Sequence, residues 1–277
     1  MAWGEPQTEE TSTIPFPILP KVYHFHPIAF VEQMRMMSAD LVYEIYHTGK
    51  IVENGDYEKA KEVSFVYHDK NGGKYDLGKF SLFEVPDYEK GTTNKPTNNI
   101  DDYIKKTGTY RGKIKSIWYK KKNKVFKAVN IKQNFNGDCF LYSKDNFKLK
   151  FTSYTNREYA RPICFAALMG AIVDCGYEDV KVNGFTRKDG TSFPSVSHPG
   201  GINVDISNLD NNNFKSADGN ILIDGSNYSL KRTSKLAKGL YKFGYKGIRS
   251  SDKNIAHCTY IKAHKDHLHC EKFEPKK

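Results

Sequence analysis

Two short segments, far apart in the chain, contain the side chains best suited to chemistry. The first is HPGGINVD at residues 198–205, and the second is HKDHLH at residues 264–269. Together they offer His198, Asp205 and His269 as two imidazoles and one carboxylate. Catalytic zinc is usually held by three protein ligands of these types, with a fourth position left for water. The pattern therefore predicts a Zn²⁺ site, where the metal lowers the pKa of water and provides a nucleophile.

Each of these residues has an ordinary explanation when it is taken singly. His198 could be a turn histidine, and Asp205 could be a loop or capping acid. The metal interpretation rests on the two segments occurring in the same chain, since one short motif is weak. Gly200 and Gly201 suit a tight turn beside a metal ion, because glycine adopts backbone conformations that other residues avoid.

The two motifs resemble those of the zinc peptidase superfamily that contains lysostaphin-type enzymes, D-alanyl-D-alanine peptidases and the hedgehog signalling domain. HPGGINVDI and HKDHLHCE are most similar to the motifs of the penicillin-insensitive murein endopeptidases. Those enzymes combine an H-x-x-G-x-x-V-D-like segment with an H-x-x-H-x-H segment. The resemblance covers roughly residues 155–273. One departure is Ser195, which stands where these endopeptidases tend to carry a histidine.

The second segment also offers candidates for the catalytic base. If it forms a strand, His267 and His269 point to the same side, because side chains alternate with a period of two residues. His267 then faces the water and is favoured as general base or transition-state stabiliser. Asp266 would point away unless a bulge re-aims it, but the chain's similarity to D-alanyl-D-alanine peptidases, which place an acid there, keeps it as the alternative. His264 is expected near the rim as a helper.

Arg187 is a further candidate, for stabilising the oxyanion. It follows the segment YEDVKVNGF, which reads as a strand, and is similar to an arginine of the D-alanyl-D-alanine peptidases that polarises the scissile carbonyl. Arg187 comes one residue later after the strand than the arginine of those peptidases does, and Thr186 occupies the matching position. A surface arginine is the alternative interpretation.

The resemblance implies a zinc peptidase that hydrolyses peptidoglycan stem or cross-link peptides at a D-alanine bond. It leaves open whether the enzyme is a murein endopeptidase or a D,D-carboxypeptidase, and whether an L-alanine–D-glutamate bond is cut instead. Two other classes are also open. One is a zinc-containing recognition module without catalysis. The other is a basic nucleic-acid-binding toxin, motivated by the net charge of +11, although no nucleic-acid motif is present and no nucleic-acid partner is expected.

The composition is that of a folded, basic protein. The chain has 277 residues with 18 Tyr and 17 Phe, which argues against disorder, and no apolar run is long enough to span a membrane. The N-terminal residues lack the features of a secretory signal. We therefore expect the protein to be made in the cytoplasm and to act, after export, in the periplasm or wall of a target cell. An endolysin or an antibacterial effector acts in this way. The segment VYHFHPIAFVEQM at residues 22–34 is similar to the openings of some type VI secretion proteins. This resemblance implies a secretion-apparatus partner and a cognate immunity protein.

The expected fold is α+β with two domains. Residues 1–145 are predicted to form a β-rich module for delivery or wall binding, led by a helix that begins at Pro27. Residues 146–277 are predicted to form the zinc peptidase domain, with a small antiparallel sheet and flanking helices. One of these helices is expected over residues 159–175, and Gly176 suits its C-terminal cap. Residues 112–131, GKIKSIWYKKKNKVFKAVNI, read as a hairpin with a lysine-rich tip.

Overall fold

The computed structural model describes residues 41–211 and 221–276. These residues belong to one compact unit. The helix predicted to begin at Pro27 lies outside the described residues. The predicted domain boundary near residue 145 falls in a tight turn inside the compact unit, where Asp145 has a positive φ of 53°.

Strands dominate the first part of the described chain. They are β1 (Leu41–Tyr46), β2 (Ile51–Asn54), β3 (Glu62–His68), β4 (Lys74–Tyr88), β5 (Tyr103–Tyr110) and β6 (Lys113–Asn130), with a 3₁₀ turn at Ile100–Asp102. They pair in the order β2-β1-β3-β4-β6-β5, and all neighbours are antiparallel except β1 and β3. Apolar and aromatic residues alternate along β1 and β3, which places one face of this sheet in the core.

The remaining elements build a second sheet and two helices. They are β7 (Cys139–Lys144), β8 (Phe147–Thr152), β9 (Tyr159–Ala160), α1 (Pro162–Cys175), β10 (Val180–Gly184), β11 (Val204–Ser207), α2 (Leu230–Lys242), β12 (Tyr245–Ser250), β13 (Cys258–Tyr260) and β14 (His267–Phe273). The second sheet has the order β13-β12-β14-β11-β10-β8-β7, while β9 extends the first sheet beside β6. Each sheet therefore has seven strands and mixes parallel with antiparallel pairs.

The expected fold class, a small antiparallel sheet with flanking helices, is wrong. The described residues are mostly β, with two α-helices and two large mixed sheets. The helix α1 does not flank a single sheet, and its sequence explains why. PICFAALMGAIVDC is apolar along almost its whole length. A helix that is apolar on almost all sides is buried on all sides, and α1 accordingly contacts β1, β2, β3 and β6 of the first sheet and β8 of the second.

The helix expected over residues 159–175 begins later, at Pro162, because Tyr159 and Ala160 form the strand β9. Its end at Cys175 agrees with the expectation. Pro162 occupies the start of the helix, where a missing N–H is tolerated. Gly176 ends it in a left-handed conformation with φ of 67°, and its N–H donates to the carbonyls of Ile172 and Val173. None of the helices in the described ranges has the length and apolar character needed to cross a bilayer.

The predicted lysine-rich hairpin is also wrong. Residues 113–130 form the single 18-residue strand β6. Its first part pairs with β5 and its second part pairs with β4, so that the chain runs from one partner to the next without turning back. Lys120, Lys122 and Lys124 lie at this exchange of partners, where ion pairs to Glu89 and Asp87 reduce their repulsion.

The second sheet has one apolar face and one polar face where β11 pairs with β14. The two strands are antiparallel, with Asp205 opposite His269 and Ser207 opposite His267. Directly opposed residues lie on the same face of a sheet. The alternate residues are apolar and belong to the core: Val204, Ile206, Leu268 and Cys270. The polar residues are thus gathered on the other face.

Close packing around Gly170 of α1 yields a test of this fold. A methyl group there would clash with the ring of Phe243 and lie 2.9 Å from Cγ2 of Ile45. We expect Gly170→Ala to lower the free energy of unfolding by about 1–3 kcal/mol through overpacking, although alanine by itself favours a helix by about 1 kcal/mol. Urea unfolding measures this difference. The control is Lys238→Ala on the exposed face of α2, and a stabilised Gly170→Ala variant would contradict the packing.

Candidate metal centre

His198, Asp205 and His269 converge at the polar face of the second sheet. All three residues are buried, and their potential ligand atoms lie within 4.8 Å of one another. Asp205 Oδ1 lies 3.0 Å from His198 Nε2 and 2.8 Å from His269 Nδ1. The two imidazole rings meet edge to face with centroids 4.8 Å apart. The predicted ligand set is therefore assembled, and this group could hold a metal ion.

The tautomer of His198 leaves its inner nitrogen available as a ligand. Nδ1 lies 2.9 Å from the carbonyl of Asn203 and donates its proton there. Nε2 then carries a lone pair; it is buried and forms no hydrogen bond, although it faces Asp205. A backbone acceptor on the outer nitrogen is the usual way in which a protein orients a metal-binding histidine. A metal ion would satisfy this otherwise orphaned nitrogen.

Asp205 and His269 are oriented in a comparable way. Arg157 Nη2 donates to Asp205 Oδ2 over 3.0 Å, so that Oδ1 remains directed at the two histidines. Glu271 Oε2 lies 3.5 Å from His269 Nε2. His269 Nδ1 hydrogen-bonds Asp205 Oδ1 at 2.8 Å. If a metal ion displaced this proton, Nε2 would carry the proton beside Glu271 and Nδ1 would offer its lone pair to the metal.

The electrostatics favour the protonation states that bind metal. Burial lowers the pKa of His198, which keeps its imidazole neutral. Burial by itself would raise the pKa of Asp205, but His198, His269 and Arg157 hold that pKa well below its usual range. Metal ligands must be deprotonated carboxylates and neutral imidazoles. Both groups are therefore in the required state near neutral pH.

The loop that carries His198 is fixed by contacts with α1 and the first sheet. Gly200 and Gly201 have φ values of 86° and 66°, in the left-handed region. A Cβ atom on Gly201 would lie 2.8 Å from the ring of Phe126. Arg161 Nε donates to the carbonyl of Gly200 over 2.8 Å, and its backbone N–H donates to that of Gly201 over 2.9 Å. The two glycines let the chain pass close to these neighbours.

The three potential ligands line a cavity of about 410 Å³. Its walls come from several distant segments of the chain. The loop before His198 contributes residues 194–197, and the loop before β14 contributes residues 263–264. The hairpin of β5 and β6 contributes Tyr110, Arg111 and Lys115. Residues from both predicted segments, 1–145 and 146–277, therefore form one site.

His267 and Asp266 lie in this cavity as a hydrogen-bonded pair. His267 Nδ1 donates to Asp266 Oδ1 over 2.6 Å, and its Nε2 lies 3.7 Å from Asp205 Oδ1. Asp266 precedes β14 rather than lying in it, so strand alternation does not turn its side chain away. Burial acts to lower the pKa of His267, but Asp266 and Asp205 raise it above its usual value.

His264 lies beside these residues at the edge of the cavity. Its ring centroid is 4.7 Å from that of His267 and 5.3 Å from that of His269. Burial and the neighbouring histidines lower the pKa of His264 to about 4. His264 is therefore a neutral donor or acceptor near pH 7.

Arg157 lines the cavity, whereas Arg187 does not. Arg187 Nε donates to the carbonyl of Phe193, and the residues that line the cavity do not include Arg187. The cavity instead contains Arg157, which the sequence analysis did not select. Arg157 Nη1 is buried without a hydrogen-bond partner. No local pattern marks Arg157, since it reaches Asp205 across 48 positions of the chain.

Comparisons of the chain with models of known protein families, with curated proteins and with solved structures find no match.

Substitution of the three potential ligands tests the metal centre. The wild-type chain should bind about one divalent metal ion, and His198→Ala, Asp205→Asn and His269→Ala should each lose most of this binding, because three ligands are the usual minimum set. Elemental analysis after gel filtration measures the metal content. His257→Ala is the matched control, since His257 is exposed and stacks on Tyr241 away from the cluster. Equal metal content in all four variants would contradict the assignment.

Proposed function

We propose that the protein is a zinc-dependent peptidase that hydrolyses peptidoglycan peptides. The observation that carries the proposal is the convergence of His198, Asp205 and His269 at an accessible cavity. There the buried Nε2 of His198 has no hydrogen-bond partner among the described residues and lies 3.0 Å from Asp205 Oδ1. Two imidazoles and one carboxylate suit zinc and leave a position open for water or substrate. The order and spacing of the two motifs, HPGGINVD and HKDHLH, supports a peptidase of the murein class.

Zinc, when held by His198, Asp205 and His269, supplies Lewis-acid polarisation of the scissile carbonyl and lowers the pKa of water. The base is His267. In the neutral form of His267, Nδ1 donates to Asp266, so Nε2 carries the lone pair and is directed toward the ligand cluster. His267 Nε2 removes the proton from the attacking water, and Asp266 stabilises the imidazolium that forms. The same group then returns the proton to the leaving amine.

Arg157 is the proposed donor to the developing oxyanion. Its Nη2 is held by Asp205 and by the carbonyl of Asn183, at 3.0 and 2.9 Å. These two contacts fix the guanidinium plane. Arg157 lines the cavity, and its buried Nη1 has no hydrogen-bond partner in the part of the chain that the structure describes. A fixed donor of this kind stabilises charge that develops on an oxygen during hydrolysis. In this proposal Arg157 takes the oxyanion-stabilising role that the resemblance implied for Arg187.

The His267–Asp266 pair favours an enzyme over a zinc-containing recognition module. A metal that only stabilises a fold is normally enclosed by four protein ligands. Here the cluster has three potential ligands among the residues that the structure describes, and it opens to a cavity in which His267 Nε2 lies 3.7 Å from Asp205 Oδ1. A nucleic-acid-binding toxin would not need this pair beside the cluster.

Mass spectrometry of peptidoglycan fragments tests the proposed activity. We expect the zinc-loaded protein to release peptides from purified peptidoglycan, and we expect a zinc chelator to stop the release. The mass of the products identifies the bond and separates an endopeptidase from a D,D-carboxypeptidase. The variant His198→Ala controls for contaminating hydrolases. Intact peptidoglycan with one zinc ion still bound per chain would instead support a recognition module.

Substitution of His267 tests the assignment of the base. His267→Gln should lower kcat by about 10²- to 10⁴-fold, because general-base catalysis contributes that much, while the zinc content stays at the wild-type level. Asp266→Asn should have a smaller effect, since it removes a partner of the base and not the base. A larger loss for Asp266→Asn than for His267→Gln would reverse the two roles. Elemental analysis of each variant excludes metal loss as the cause.

A further inference from the structure

The tip of the β5–β6 hairpin carries two cations into the cavity that holds the potential metal ligands. The turn contains Arg111 and Gly112, with φ values of 50° and 73°. Two successive residues with positive φ form the tight turn that matches the twist of a hairpin. Arg111 is therefore placed by a short, defined turn. Its side chain is 72% exposed and remains accessible to a ligand.

Lys115 is anchored beside Arg111 on the same wall. Its Nζ donates to the carbonyl of Pro194 over 2.8 Å, which uses one of its three N–H groups. The guanidinium of Arg111 and the ammonium of Lys115 both lie over the ring of Tyr110, at 5.3 and 5.5 Å from its centroid. Each cation thus lies within 5.5 Å of the centroid of the same ring, and each keeps N–H groups that can bind an anion.

The charges of the cavity favour an anionic ligand. The charged residues lining it are three cations, Arg111, Lys115 and Arg157, and two carboxylates, Asp205 and Asp266. Asp205 is hydrogen-bonded to Arg157, and Asp266 is hydrogen-bonded to His267. Arg111 lies 3.7 Å from Asp266, a distance too long for a direct hydrogen bond. A divalent ion at the cluster would add to this positive excess.

We propose that Arg111 and Lys115 form a binding site for a carboxylate group of the substrate. The inference rests on the proposed peptidase function, because it concerns the substrate of that same cavity. Arginine and lysine together suit a carboxylate, since the guanidinium offers two parallel N–H groups and the ammonium adds a point charge. The substrate class is then a peptide with a free carboxylate near the scissile bond. A peptide amidated at that group should bind poorly.

Binding of a matched pair of small peptides tests the carboxylate site. The probes are N-acetyl-D-alanyl-D-alanine and its C-terminal amide, titrated calorimetrically into zinc-loaded His267→Gln protein so that turnover does not interfere. We expect the acid to bind at least about tenfold more tightly than the amide, as expected for one charge-assisted contact. In the same background, Arg111→Gln combined with Lys115→Gln should abolish this preference.

The control is Lys113→Gln, which removes an exposed lysine from the same hairpin that does not line the cavity. It should retain the full preference for the acid, and thermal unfolding should show that each variant is folded. Equal binding of acid and amide, no binding of either, or a preference that survives the double substitution would overturn the carboxylate site.

The outcomes separate this site from the proposed activity. Cleavage of peptidoglycan together with equal binding of acid and amide would leave the peptidase intact and remove the carboxylate site. A preference for the acid that depends on Arg111 and Lys115, without cleavage of any wall peptide, would retain the carboxylate site and remove the peptidase.

Discussion

The antiparallel register of β11 and β14 is the constraint on which the site depends. It places Asp205 directly opposite His269, so that one hydrogen-bonded pair of strands supplies two of the three potential ligands. A slip of one residue in either strand would turn that strand's ligand side chain into the core and bring an apolar residue to the cavity. Burial of the opposite face, which contains Val204, Ile206, Leu268 and Cys270, makes such a slip costly. The hydrophobic core thus determines how these two potential ligands are placed.

Sequence reasoning located the three potential ligands because their chemistry is local. Two short motifs contain His198, Asp205 and His269, and strand alternation correctly places His267 on the side of His269. The fold class was wrong because an apolar pattern indicates burial without specifying which layers cover a helix, and α1 contacts both sheets. Arg157 and the β5–β6 hairpin were missed for a related reason. Their proximity to the site arises from pairings between distant segments, which leave no periodic pattern in the sequence.

The β5–β6 hairpin does more than enlarge the first sheet. Tyr119 Oη donates to the carbonyl of Ser195 over 2.6 Å, and Lys115 Nζ donates to that of Pro194 over 2.8 Å. Both acceptors belong to the segment that leads directly into His198. Hydrogen bonds to these partly buried backbone carbonyls restrict the segment, because breaking them leaves polar groups unsatisfied. The β5–β6 hairpin therefore positions a potential metal ligand and also forms part of the cavity wall.

The pairing of Arg157 with Asp205 has an electrostatic consequence for the whole cavity. A buried carboxylate on its own would cancel part of the charge of a bound divalent ion. Arg157 already neutralises Asp205 through a 3.0 Å hydrogen bond, and both histidine ligands are neutral when they coordinate metal. Nearly the full charge of the ion would then act on the cavity. In the proposed peptidase, the same field would attract an anionic substrate and stabilise the oxyanion of the transition state.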